Sequence, residues 1–77
     1  MRPTNSVKRI ARDIEPLAAW LKRYKPDCST ITLARADYTF LRTNSQLATG
    51  FGFVFGPATI HYQGFEVRSP PESGAQP

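Results

Sequence analysis

The spacing of apolar residues predicts a helix in the first third of the chain. At about 100° per residue, the apolar side chains of residues 6–24 gather on one helix face. They are Val7, Ile10, Ala11, Ile14, Leu17, Ala18 and Leu21. We therefore predict an amphipathic helix over residues 6–24, with Asn5 or Ser6 as its N-cap.

Pro16 lies inside this predicted helix, where a proline removes a backbone hydrogen bond and clashes with the preceding turn. Two interpretations follow. Either one long helix is kinked at Pro16, or a first helix ends near Asp13 and a second begins there with Asp13 as its N-cap. The apolar phase continues through Pro16, which falls on the solvent side, and this favours the single kinked helix. Pro26 ends the helix, because the residue before a proline avoids the α region.

The middle of the chain is harder to assign. Residues 29–34 are rich in Thr and Ile and place Ile31 and Leu33 on one face, which predicts a strand. Residues 35–44 fit either an extension of that strand or a short helix with Ala36, Phe40 and Leu41 on one face. We favour the short helix. Residues 43–50 are polar and are predicted to form a loop.

Residues 51–68 have the alternation of β-structure, with turns between the strands. We expect strands at 51–55, 59–62 and 65–68, a turn at Gly56-Pro57 and a two-residue hairpin turn at Gln63-Gly64. The fold class predicted is α+β: an N-terminal amphipathic helix packs on a small, mainly antiparallel sheet of three or four strands, with a short second helix.

This arrangement defines a core and three regions of the chain. The predicted core is Ile10, Ile14, Leu17, Leu21, Leu33, Phe40, Phe53, Ile60, Tyr62, Phe65 and Val67. Residues 1–5 are predicted to be a flexible N-terminus and residues 6–68 a single domain. Residues 69–77, SPPESGAQP, hold no large apolar residue and are predicted to be a disordered Pro-rich tail.

Composition excludes several classes of protein. The 77 residues suffice for one small domain. A single cysteine, Cys28, excludes a disulfide-stapled scaffold. The longest apolar run, residues 17–21, is too short for a membrane span or the core of a signal peptide. We therefore expect a cytoplasmic protein that does not contact a membrane.

No combination of residues in the sequence suits catalysis. His61 is the only histidine and Cys28 the only thiol, too few for a zinc site and not spaced as a nucleophile and base. The six carboxylates form no pair, and Gly50-Phe51-Gly52 lacks the lysine of a phosphate loop. We predict that the protein is not an enzyme and has no cofactor or metal.

Charge is concentrated at the N-terminus. Residues 1–25 hold seven Lys/Arg against two acidic residues, whereas residues 26–77 hold three against four. The polar side of the helix is therefore the candidate partner-binding face, with Trp20 as a candidate anchor, because aromatic residues and arginines dominate protein interfaces. The predicted contacts are Lys8, Arg9, Arg12, Trp20, Lys22 and Arg23.

Four roles are compatible with the sequence. The first is a small protein-binding module that docks on an acidic protein surface, in the manner of a phage-type inhibitor or accessory protein that occludes a host complex. The alternative is a nucleic-acid-binding accessory protein that contacts phosphates with the same face. A third is a homodimer paired through a sheet edge or through residues 51–55. The fourth is a solvated face that only keeps the protein soluble.

Overall fold

The computed structural model describes residues 3–71, which form three helices and one four-stranded sheet. The helices are α1 (Pro3–Tyr24), α2 (Arg35–Thr43) and α3 (Ser45–Thr49). The strands are β1 (Thr30–Thr32), β2 (Phe53–Phe55), β3 (Ile60–Tyr62) and β4 (Phe65–Arg68). The predicted tail falls partly outside the described residues: 69–71 are irregular, and 72–77 are not described.

The N-terminal helix α1 is continuous over 22 residues and contains Pro16. The single-helix interpretation is therefore confirmed, and the alternative of two helices divided near Asp13 is wrong. The predicted start is also wrong. Because α1 begins at Pro3, neither Asn5 nor Ser6 can be its N-cap, and residues 3–5 belong to the helix rather than to a separate N-terminal segment. A proline is well suited to the first turn of a helix, since it removes a backbone N–H that has no partner there.

The sheet has the strand order β1-β4-β3-β2 and is mixed. Strands β2, β3 and β4 pair antiparallel, as predicted, whereas β1 pairs parallel to β4 with Ile31 opposite Val67. The predicted hairpin turn between β3 and β4 is confirmed. Gln63 and Gly64 both have positive φ, of 52° and 90°, as a two-residue turn of this type requires.

The segment between β1 and β2 is helical. Helix α2 confirms the short helix favoured for residues 35–44. The loop predicted for residues 43–50 is wrong, because Ser45–Thr49 forms α3. Ala48 on α3 is fully buried, so burial in the core stabilises this single turn of helix. The turn is too short to show an apolar period in the sequence.

The core lies between α1 and one face of the sheet. Of the predicted core, Ile10, Ile14, Phe53, Ile60, Tyr62, Phe65 and Val67 are buried. Leu21, Leu33 and Phe40 are half-buried beside them. Leu17 is wrongly predicted, since it is 42% exposed. The prediction also missed Val7, Ala18, Ile31, Leu41 and Ala48, which are buried.

The second face of the sheet is open to solvent. Val54, His61 and Arg68 are exposed on it. A helical layer on one side of a mixed, open sheet confirms the α+β class. The polar side of α1 is exposed.

Candidate functional site

All six residues predicted to contact a partner are exposed on α1. They differ in the contacts that their side chains make within the protein. Arg9 and Lys22 are held by contacts within the protein. Lys8 and Arg12 have no such contacts among the described residues. Trp20 belongs to an aromatic cluster toward the end of the helix, and Arg23 lies beside that cluster.

Arg9 connects α1 to α2. Its guanidinium donates to Asp13 on the same helix at 3.3 Å and to Asp37 in the first turn of α2 at 3.0 Å. Exposed ion pairs of this kind typically contribute less than about 1 kcal/mol. The two carboxylates nevertheless neutralise Arg9 locally, so it is a poor candidate for attracting an anionic partner.

Lys22 connects α1 to the turn between β3 and β4. Its ammonium group donates to Gln63 Oε1 at 3.3 Å and lies 5.9 Å from the centre of the Phe65 ring. These contacts hold the lysine side chain against the end of the sheet. Lys22 is therefore less available to a partner than its exposure suggests.

Lys8 and Arg12 lie one turn apart on α1. Within residues 3–71, neither side chain has a hydrogen-bond or ion-pair partner. Both line a recess of about 260 Å³ between α1 and the sheet, together with Ala11, Glu15, Phe51 and Tyr62. The structure thus places two unpaired cations beside an aromatic surface, a feature that sequence reasoning missed because Phe51 and Tyr62 lie far away in the chain.

Tyr62 forms part of this recess, with its ring buried against Phe53 and its hydroxyl accepting from Gln63 Nε2 at 3.3 Å. Burial raises the pKa of the Tyr62 phenol above its ordinary value of 10.0, and the negative charge of Glu15 raises it further. The hydrogen bond from Gln63 opposes these two effects on the pKa. The phenol is therefore protonated, and able to donate a hydrogen bond, at neutral pH.

The raised pKa of Tyr62 predicts a loss of stability in alkali. The folded protein holds the phenolic proton more tightly than the unfolded chain, so this contribution is fully present below the unfolded pKa of about 10 and is lost as pH rises through the folded pKa. We expect the free energy of unfolding to fall as pH rises above about 10, and to fall less steeply in Tyr62→Phe. Urea denaturation across this range measures the slope. The exposed Tyr24→Phe is the control, and an equal slope in the two variants would contradict the assignment to Tyr62.

An exposed aromatic cluster occupies the other flank of α1. It consists of Leu17, Trp20 and Tyr24, which are 42%, 49% and 57% exposed. The Trp20 and Tyr24 rings lie 5.3 Å apart, and the Arg23 guanidinium lies 5.6 Å from the centre of the Tyr24 ring. The spacing of 17, 20 and 24 places all three on one flank, about a quarter of a turn or more from Arg12. The sequence predicts Trp20 as an exposed anchor, but it places Leu17 in the core.

The other chemically active side chains do not form a catalytic or metal-binding site in the described part of the chain. The Cys28 thiol donates to the carbonyl of Thr30 at 3.2 Å. His61 is exposed opposite Glu66 on the open sheet face, where the hydrogen bond from Arg68 lowers the pKa of the Glu66 carboxyl. Among residues 3–71, no three His, Cys, Asp or Glu side chains are grouped to hold a metal ion.

Comparisons with known proteins do not indicate a function. Neither a known protein family, nor a curated protein, nor a solved structure matches this chain. Within residues 3–71, no helix is long and apolar enough to cross a membrane. Function is therefore inferred from the surface chemistry described above.

Proposed function

We propose that this protein is a small, non-enzymatic protein-binding module whose helix α1 docks on an acidic surface of a partner protein. The observation that carries the proposal is that Lys8 and Arg12 have no hydrogen-bond or ion-pair partner within residues 3–71 and lie on the same helix as the exposed Trp20. The partner would supply the carboxylates that the described part of this chain does not. Such binding could occlude a partner's own interaction surface, as a small inhibitor does.

The two kinds of residue have different roles in this proposal. Lys8 and Arg12 attract and orient an acidic surface, since complementary charge mainly raises the association rate and fixes the orientation of binding. Trp20 and Tyr24 supply apolar area that becomes buried, and buried aromatic anchors usually account for most of the binding energy. The aromatic cluster favours a protein over a nucleic acid as partner, because phosphate contacts alone need no such anchor.

Glutamine substitutions test this function. We expect Lys8→Gln/Arg12→Gln, and separately Trp20→Ala, to weaken binding of the captured partner about tenfold or more. The control Arg42→Gln/Arg68→Gln removes the same net charge from α2 and β4, away from the proposed contacts, and should bind as the parent does. Partners are captured with the purified protein and identified by quantitative mass spectrometry, and their affinities are then measured for each variant.

A nucleic-acid titration addresses the alternative. The fluorescence anisotropy of labelled duplex DNA, single-stranded DNA and RNA is measured with the protein over a range of salt concentrations. We expect no binding at physiological salt. Sub-micromolar binding that weakens steeply with salt and is indifferent to Trp20→Ala would reject the protein-binding function in favour of phosphate contacts. Equal capture of the same proteins by all variants would reject a role for α1.

A further inference from the structure

We propose that the recess between α1 and the sheet binds a single carboxylate side chain of the partner. This inference rests on the proposed function and specifies its chemistry. The recess is lined by Lys8, Ala11, Arg12, Glu15, Phe51 and Tyr62. It lies on the opposite flank of α1 from the aromatic cluster, so the partner would be held at two separate places along the helix.

The recess is small and open to solvent. Its volume of about 260 Å³ is below the range of roughly 300–1,000 Å³ in which small-molecule pockets usually fall. One side chain of a partner fits such a space. Ala11 and the half-buried ring of Phe51 give an apolar wall for the methylene groups of that side chain.

The recess is rich in hydrogen-bond donors that have no acceptor within residues 3–71. The Lys8 ammonium and the Arg12 guanidinium have no hydrogen-bond or ion-pair partner in that part of the chain. The Tyr62 hydroxyl accepts from Gln63 Nε2 but donates to no acceptor within the same described residues. A carboxylate has two oxygens and accepts several hydrogen bonds, including the paired geometry that a guanidinium offers. Three donors of this kind therefore match a carboxylate better than a neutral amide or a cation.

Glu15 sets the charge that the recess accepts. Its carboxylate lines the same recess and opposes an incoming anion, so the ionisable groups lining the site sum to a single positive charge. A monoanionic carboxylate balances that charge. A phosphate group, with a charge of about −1.5 to −2 at pH 7, would leave an excess of negative charge beside Glu15. The chemistry of the recess thus favours a glutamate or aspartate side chain over a phosphorylated one.

A direct test uses a probe with one side-chain carboxylate. N-acetyl-glutamate-N-methylamide is titrated into the ¹⁵N-labelled protein at pH 7, and amide shifts are followed by NMR. We expect saturable shifts centred on Ala11, Phe51 and Tyr62, and none of comparable size with N-acetyl-glutamine-N-methylamide. Equal shifts with the glutamine probe, or shifts located elsewhere, would overturn the proposal. Tighter binding of inorganic phosphate than of the glutamate probe would also overturn it, in favour of a phosphate site.

Variants with opposite expected effects sharpen the test. Tyr62→Phe removes one donor and should weaken binding of the glutamate probe several-fold, whereas Glu15→Gln removes the repulsion and should tighten it several-fold. Tyr38→Phe, which removes a phenol of α2 outside the recess, is the matched control and should leave binding of the glutamate probe unchanged. An unchanged affinity in Glu15→Gln contradicts the proposal even if Tyr62→Phe should fail to fold.

The same variants separate this inference from the proposed function. Suppose that a captured acidic partner loses affinity with Lys8→Gln/Arg12→Gln but not with Tyr62→Phe or Glu15→Gln. The carboxylate recess then fails, and the protein-binding function stands. If the glutamate probe binds in the recess but no acidic protein is bound through α1, the recess stands and the proposed function fails.

Discussion

Phe53→Ala is expected to remove most of the stability of this domain. Phe53 is 1% exposed on β2, and its ring centre lies 4.8 Å from that of Tyr62. Removing a buried phenylalanine ring costs about 3–5 kcal/mol, because apolar contacts are lost and a cavity remains. Small domains have total stabilities of about 5–15 kcal/mol, and a domain of this size falls toward the lower end. Much of the variant should therefore be unfolded or close to its unfolding midpoint at 37 °C.

Urea denaturation followed by far-ultraviolet circular dichroism measures this effect. Fluorescence of Trp20 is a poorer reporter, since that side chain is 49% exposed in the folded state. Val54→Ala is the control, because Val54 is the next residue on β2 and is 63% exposed on the open face. We expect Val54→Ala to change the free energy of unfolding by about 0.5 kcal/mol or less. Similar losses in the two variants would mean that Phe53 does not lie at the centre of the core.

Pro16→Ala is expected to have a large effect of the opposite sign. Pro16 lies in the interior of α1 and is exposed, so its ring contributes little to the core. It has no backbone N–H, and the carbonyl of Arg12, four residues earlier, loses its intrahelical partner. Alanine restores that hydrogen bond and has the highest helix propensity. The difference between the two residues in a helix interior is about 3 kcal/mol, which is the upper limit of the stabilisation expected.

The midpoint of thermal unfolding and the free energy of unfolding in urea both report this gain. Ala19→Gly calibrates the measurement, since Ala19 is exposed one turn later on α1 and its replacement should cost about 1 kcal/mol. Stabilisation by Pro16→Ala of about 1–3 kcal/mol would show that the proline limits the helix. A loss of stability would instead mean that the proline is needed for α1 to fit against the sheet.

The elements predicted correctly are those with a local signal. The apolar stripe of α1 persists through Pro16, and Gln63-Gly64 supplies the positive φ of a hairpin turn. The single turn α3 is too short to show a period, and its formation depends on the burial of Ala48. The parallel pairing of β1 with β4 joins Thr30 to Glu66, so it leaves no local pattern either. These two features depend on tertiary contacts, which sequence periodicity does not reveal.

The candidate site, like the fold, could be predicted from the sequence only where a local pattern determines it. Exposure of the basic residues on α1 follows from helical periodicity, and the structure agrees. Which of them are already paired does not follow, because Arg9 meets Asp37 and Lys22 meets Gln63 across 28 and 41 positions of the chain. Helical periodicity groups Leu17 with the core residues, although it lies at the edge of the apolar stripe. In the structure, the Leu17 side chain is 42% exposed.

The position of β4 has a consequence for how the domain is built during synthesis. It is the last strand along the described chain, yet it lies inside the sheet, between β1 and β3. While a nascent chain lacks Phe65–Arg68, β1 has no neighbour in the sheet, and the apolar face of α1 can pack only against α2, α3 and the β2–β3 hairpin. Pairing between such distant segments is slow compared with the formation of a helix or hairpin. Folding on the ribosome would therefore be completed in one late step, with helix α1 already formed and its apolar face only partly covered until that moment.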